Sequence, residues 1–254
     1  MGRVIGMTDH DLFGDRAEEY ARTRPAYPKE LFDLLARRVA RRELAWDCGA
    51  GSGQTSRSLA LRFAGVVATD SSLRQLSHAA IGGGVQRVVA TAERAPVRDQ
   101  CADLVTVSAA LHWFDRPRFY AEVRRVARPG AIVAVWSYYR SEIEPAVDAI
   151  VMRLATDVLG AFWAPGFALN REAYRNLDFP FERLPWPELH AEARMRLPDL
   201  LAYMRSWSAS QSWARSRGTD AVEMVRDDLT RAWGPQQKER LVRWPLHGAI
   251  GRVT

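Results

Sequence analysis

The chain has 254 residues, 47% of them hydrophobic and 26% charged, with a formal net charge of +6. That composition belongs to a globular protein with room for one α/β domain and an elaborated cap. No apolar run approaches the ~20 residues that span a bilayer. The stretch from Met1 to Thr8 lacks the apolar core of an export signal, and Met7 competes with Met1 as the natural start. The two cysteines, Cys48 and Cys101, read as free thiols of a reducing cytoplasm. The histidines at 10, 78, 112, 190 and 247 are too scattered to ligate a metal. Apart from Lys29 and Lys238 every basic residue is arginine, spread along the chain among Asp and Glu with no contiguous basic run, so the positive charge marks a solvated surface better than a nucleic-acid groove.

The spacing predicts a helix over 31–42, then a short strand, Glu43-Leu44-Ala45-Trp46, that ends at Asp47. Gln54 to Leu61 reads as a helix. Gly65 to Asp70 is a second strand, and Ser71-Ser72 caps a helix from Leu73 to Ala80, broken at Gly82-Gly83-Gly84. Val85 to Thr91 is a third strand and Ala102 to Ser108 a fourth. Pro117 to Ala127 is helical, stopped by Arg128-Pro129-Gly130, and Ala131 to Trp136 is a fifth strand. Strands alternating with helices at these intervals build βαβ units and a mostly parallel sheet. Right-handed crossovers put every strand C-terminus at one edge, where Asp47, Asp70, Thr91, Ser108 and Trp136 gather and where open α/β sheets bind ligands. Beyond residue 140 the rhythm changes. Glu142 to Leu159 reads as a helix, 160–188 is irregular and aromatic, 198–233 is helical and Trp-rich, and Trp244 to Val253 is a last strand. Most of the nine tryptophans fall after residue 130, as core packing or as an aromatic lid over a small-molecule pocket.

Asp47-Cys48-Gly49-Ala50-Gly51-Ser52-Gly53 lies between a strand and a helix, the arrangement that brings backbone N–H groups to a ligand. Its glycines alternate as G-x-G-x-G. A dinucleotide fingerprint needs G-x-G-x-x-G, and Ser56 stands where its last glycine would fall, so the ligand is a different one of the nucleoside class. Asp70, ending the second strand, suits the two hydroxyls of a ribose. Thr91-Ala92-Glu93 can meet the edge of an adenine, a solvated glutamate being the alternative.

Taken in order, Tyr20-x3-Arg24-Pro25-x-Tyr27-Pro28, Asp47-x-Gly49-x-Gly51-x-Gly53-Gln54, Ala68-Thr69-Asp70-Ser71-Ser72, Ala92-Glu93-x2-Pro96 and Ala110-Leu111-His112-Trp113-Phe114-Asp115 resemble the class I S-adenosylmethionine-dependent methyltransferases. They are most similar to the type 11-like small-molecule branch that includes trans-aconitate methyltransferases. Ser206-Trp207-Ser208 is similar to that branch as well. The resemblance implies a Rossmann-like fold: a seven-stranded, mostly parallel sheet flanked by helices, with a helical aromatic cap. It implies one domain over 1–254, with a cofactor core over about 8–140, cap insertions over about 141–240 and a last strand over 244–254. The cofactor would be S-adenosyl-L-methionine and the product S-adenosyl-L-homocysteine. By the same resemblance Asp47 and the loop of Gly49, Ala50, Gly51, Gly53 and Gln54 hold the amino-acid end. Asp70 and Ser71 take the ribose, Ala92 and Glu93 frame the adenine, and Ser108 and Ala109 lie under the sulfonium. Tyr20, Arg24 and Tyr27 close the pocket, Arg24 against the methionine carboxylate, unless the two tyrosines merely anchor a helix.

In-line methyl transfer needs positioning and exclusion of water rather than covalent catalysis, so no catalytic triad is expected. His112 is the candidate base, or else a residue that positions substrate. Tyr27, Trp113, Trp136, Tyr138, Trp163 and Trp207 are candidates to line the acceptor pocket, and no metal is expected. Ser108-Ala109-Ala110-Leu111 lacks the Asn/Asp-Pro-Pro-aromatic pattern of nucleobase amine methylation, and Cys101 is on the wrong side of its strand for cytosine C5 chemistry. A small-molecule acceptor is expected, with no nucleic acid and no membrane partner, in a cytoplasmic monomer or homodimer. An RNA methyltransferase and a non-catalytic cofactor-binding accessory protein are the alternatives.

Overall fold

The computed structural model describes residues 24–77 and 84–254. The first helix among the described residues, α1 (Lys29–Arg38), starts behind Pro28 and buries Leu31, Phe32, Leu35 and Ala36 on one face. The strands β1 (Leu44–Cys48), β2 (Gly65–Asp70), β3 (Val85–Val89), β4 (Ala102–Ser108) and β5 (Ala127–Ser137) follow, interleaved with α2 (Gln54–Ala60), α3 (Leu73–Ser77) and α4 (Arg116–Val126). β1 pairs in parallel with β2 and β4, β2 with β3, and β4 with β5. β4 is buried at every position but its last, as expected of a central parallel strand covered on both faces. α4 is capped by Asp115, whose side chain accepts from the Arg118 amide at 3.3 Å, and Pro117 supplies the preset first turn.

After β5 come α5 (Pro145–Arg153), α6 (Ala168–Arg171), β6 (Glu182–Leu184), β7 (His190–Met195), α7 (Leu197–Arg205), α8 (Ser208–Arg217), α9 (Glu223–Trp233), β8 (Arg240–Pro245) and β9 (His247–Arg252). The main sheet has seven strands in the order β3-β2-β1-β4-β5-β9-β6, with β9 antiparallel to both neighbours. The order reverses between β1 and β4, which opens a crevice at their C-terminal ends.

Several boundaries differ from expectation. The third strand ends at Val89, and Thr91 to Arg94 form a turn. The helix over 142–159 begins at Pro145 and widens into a π-type turn at Leu154–Val158. The irregular stretch contributes β6 to the sheet. The single last strand splits: β8, holding Trp244, pairs with β7 in a separate two-stranded sheet, and only β9 joins β5. The cause is local. Pro245 cannot donate to a ladder, and the Leu246 amide turns to the Leu189 carbonyl at 2.8 Å. The end of the predicted helix at Ala80, and Gly82-Gly83, lie outside the described residues.

Alternation along β5 divides the core. Ile132, Ala134 and Trp136 face a cluster that runs from Leu31 and Phe32 of α1 into Tyr203, Met204 and Trp244 of the cap. Val133 and Val135 face the other cluster, with Trp46, Phe119 and Val123.

Candidate active site

The loop after β1 is built by left-handed glycines. Gly49, Gly51 and Gly53 have φ of 68°, 53° and 76°, which explains their alternation. Gly49 has a second reason to lack a side chain, since a Cβ there would lie 2.6 Å from Ala110 Cβ. The loop is fixed by Ala50 N–H donating to the Thr69 carbonyl at 3.0 Å and Gly53 N–H to Ala50 at 2.9 Å. Asp70 accepts from the Gly51 amide at 2.9 Å and the Ser72 amide at 2.8 Å. Gln54 Nε2 reaches back to the Pro25 carbonyl at 2.9 Å, tying the loop to the segment that carries Arg24 and Tyr27.

These elements enclose a cavity of about 220 Å³. Gly49, Ala50, Gly51 and Gln54 form one wall, Asp70 and Ser71 the β2 end, and Ala92 and Glu93 the far side, with Glu93 accepting from the Asp115 amide at 2.9 Å. Ser108 and Ala109 lie at the end of β4, and Arg24, Tyr27, Trp113 and Tyr138 complete the lining. Ala109 is held at φ 51°, strained for a residue with a Cβ, by the hydrogen bond its N–H donates to the Trp136 carbonyl at 2.8 Å.

A smaller chamber of about 60 Å³ adjoins it, and Arg24, Ala109, Trp113 and Tyr138 belong to both walls. The rest comes mainly from the second half of the chain. Trp163 stacks on Phe167 with centroids 4.1 Å apart and packs against Trp207 at 5.8 Å. His112 lies edge-on to Phe167 at 5.4 Å and accepts at Nδ1 from Asn170 Nδ2 at 3.1 Å. Gly166 permits this docking, because a Cβ there would fall 2.1 Å from the His112 carbonyl oxygen. Burial, with the Arg24 charge adding to it, pushes the His112 pKa down to about 3.

Residues 46–135 match the family profile described as a methyltransferase domain. A solved structure from Anaeromyxobacter dehalogenans, assigned as a type II methyltransferase, is 38% identical; the match covers 91% of this chain and 98% of that one, with a TM-score of 0.82. A Dictyostelium discoideum protein assigned as a methyltransferase is 29% identical over 88% of this chain and 86% of its own length. An uncharacterized methyltransferase of Mycobacterium tuberculosis is 41% identical over 49% of this chain and 51% of its own.

The chain belongs to the class I S-adenosylmethionine-dependent methyltransferases. The trans-aconitate-like branch rests on the sequence motifs alone.

The cofactor of that class is a zwitterionic nucleoside, and the larger cavity fits it. An ionised carboxylate has about four acceptor sites, so the two amides on Asp70 are compatible with a ribose diol at the same group. Arg24 supplies a cation at one end and Glu93 an acceptor at the other.

In this methyltransferase three expected site residues stand apart from the cavities. Asp47 is fully buried behind the loop, where it accepts from Ser56 Oγ at 2.5 Å and Thr106 Oγ1 at 2.9 Å. It therefore braces α2 against β4 rather than meeting ligand, and its burial pushes its pKa up to about 6. Gly53 is the left-handed N-cap of α2 and lies outside the lining. Trp136 is core: it is fully buried edge-on to Tyr27 and Phe32 and lines neither cavity. Tyr20 lies outside the described residues. Sequence reasoning missed Asn170, Tyr139, Phe167 and Tyr203 of the chamber. Tyr139, beside Tyr138, was within reach of the aromatic pattern, but Asn170 sits in a stretch with no period to single it out.

Proposed function

We propose that this methyltransferase moves the methyl group of S-adenosyl-L-methionine to a small-molecule acceptor held in the aromatic chamber. The observation that carries this reading is the shared wall: Arg24, Ala109, Trp113 and Tyr138 border both cavities, so an acceptor in one faces a cofactor in the other. S-adenosyl-L-methionine supplies an electrophilic methyl on a sulfonium that serves as its own leaving group.

The protein's part is binding, alignment and dryness. Asp70 and Ser71 hold the ribose, Ala92 and Glu93 the adenine, and the Gly49 to Gly51 backbone with Gln54 and Arg24 the amino-acid end. Ser108 and Ala109 support the sulfonium. Trp163, Phe167 and Trp207 keep water from the acceptor side, and alignment of this kind can supply roughly 7–11 kcal/mol. Burial pushes the His112 pKa down to about 3 and its Nδ1 is already taken by Asn170 Nδ2, so the imidazole is a weak proton acceptor and orients the methyl acceptor in place of serving as its base.

The surface charge supports a small acceptor over RNA. Arg125 pairs with Glu122 and Asp99, Arg128 with Asp103 and Glu43, and Arg205 with Asp220 and Glu223, so these cations face carboxylates and not a polyanion.

Calorimetric titration with S-adenosylhomocysteine tests the cofactor half. Asp70→Ala should weaken binding by a hundredfold or more, about 2.7 kcal/mol, whereas unchanged affinity would remove Asp70 and this cavity from the reading.

A further inference from the structure

The aromatic chamber contains a hydrogen-bonding demand that positioning alone leaves unexplained. Asn170 is 1% exposed and lines the chamber. Its Nδ2 serves His112, but its Oδ1 is buried without a partner. Tyr139 lines the same chamber with its hydroxyl also buried and unpartnered. A buried polar atom left unmet is destabilising, and such an atom on a ligand chamber asks for a ligand group. In the observed orientation Asn170 leaves Oδ1 and one of its two N–H groups for a ligand, with the other N–H on His112. With Nδ1 taken as acceptor, the proton of neutral His112 sits on Nε2. The imidazole therefore offers the chamber a donor and has no lone pair left to act as base.

The other chemistry of the walls narrows the acceptor further. Among the described lining residues, Arg24 is the one with a fixed charge, and it belongs equally to the cofactor cavity; there is no carboxylate and no lysine. The stacked Trp163 and Phe167 present flat aromatic surface, which suits a planar ring.

We propose that the chamber takes a neutral planar nitrogen heterocycle of the azole type, which gives its ring N–H to Asn170 Oδ1 and turns its second, lone-pair nitrogen toward the methyl group. This rests on the reading of the protein as a small-molecule methyltransferase. A phenol could also donate to Asn170, but its oxygen would then have to shed that same proton to become nucleophilic, and an amide oxygen does not take it. A carboxylate brings no donor for Oδ1 and finds a single shared cation. An azole satisfies both needs in one ring without prior deprotonation. Its lone pair forms the N–CH3 bond as the C–S bond breaks, and the C–S electron pair stays on sulfur as a thioether. The positive charge passes to the methylated ring, which releases its N–H proton to solvent on leaving.

The test is calorimetry on the whole protein at mildly alkaline pH. S-adenosylhomocysteine is titrated first, and then benzimidazole, 1-methylbenzimidazole and benzoate are titrated at saturating S-adenosylhomocysteine. Benzimidazole should bind at least about tenfold more tightly than the other two. Asn170→Leu should erase that preference while keeping S-adenosylhomocysteine affinity. With S-adenosylmethionine, mass spectrometry should find the N-methylated ring. Equal or tighter binding of 1-methylbenzimidazole or benzoate, or no binding of benzimidazole, would overturn the proposal. Failure of S-adenosylhomocysteine to bind would overturn the underlying reading instead. The three-probe comparison on the unmodified protein stands even if Asn170→Leu fails to fold.

Discussion

Asp47 and two half-buried histidines pull stability in opposite directions as pH changes. Burial raises Asp47 from 3.8 to about 6, so the folded state holds its proton more tightly than the unfolded chain. Its contribution is complete below about pH 4 and is lost as pH rises through 6. His112 and His247 are lowered from 6.5 to about 3 and about 4 by burial, with Arg24 assisting at His112. Their contribution is present above about pH 6.5 and is lost as pH falls toward those values. On acidification Asp47 thus offsets part of what the histidines lose. Urea midpoints at pH 7 and pH 4.5 should show Asp47→Asn losing more stability than the parent on acidification and His247→Asn losing less; parallel slopes for all three would refute the assignment. Gly49→Ala puts a Cβ on a left-handed residue and 2.6 Å from Ala110 Cβ. It should cost ~1–2 kcal/mol for the backbone alone, more with the clash, and weaken S-adenosylhomocysteine binding. The glycines were legible at this scale because left-handed backbone leaves a mark in composition. The direction of Asp47 was not, because it depends on Ser56 and Thr106 closing around it from two other elements.

Among the elements, the turn that carries Ala92 and Glu93 is held from behind. Glu122 of α4 accepts from the Ala95 amide at 2.7 Å. Arg125 binds Glu122, Asp99 and the carbonyls of Ala95 and Val97. Arg125→Met keeps the aliphatic stem and removes these bonds. S-adenosylhomocysteine affinity should then fall about tenfold, ~1.4 kcal/mol, although Arg125 lines neither cavity; unaltered affinity would show that the turn holds itself. The parallel strands were readable because a strand buried on both faces is mostly apolar without strict alternation, as in β4, where Leu104, Val105 and Val107 stand among the buried Asp103 and Thr106. The cap was less so. Whether Trp244 belongs to the main sheet or to a second one is decided by which partner satisfies the backbone after Pro245, and the Leu189 carbonyl that settles it lies far away in sequence.

For the whole molecule, the sheet and its cap share one core cluster from α1 to Trp244, and the crevice between β1 and β4 opens beneath that junction. The lining of the larger cavity was legible because its loop, acid and turn each sit at the end of a strand. The lining of the smaller chamber was not, because Phe167 and Asn170 meet His112 across more than fifty residues of sequence, where Gly166 docks against its carbonyl. The central claim is that the two cavities are the cofactor and acceptor halves of one active site. A crystal structure with S-adenosylhomocysteine tests it most directly. The ribose should lie on Asp70, and the sulfur at the wall formed by Arg24, Ala109, Trp113 and Tyr138, facing the aromatic chamber. A nucleoside seated in that chamber, or a sulfur turned away from it, would contradict the account.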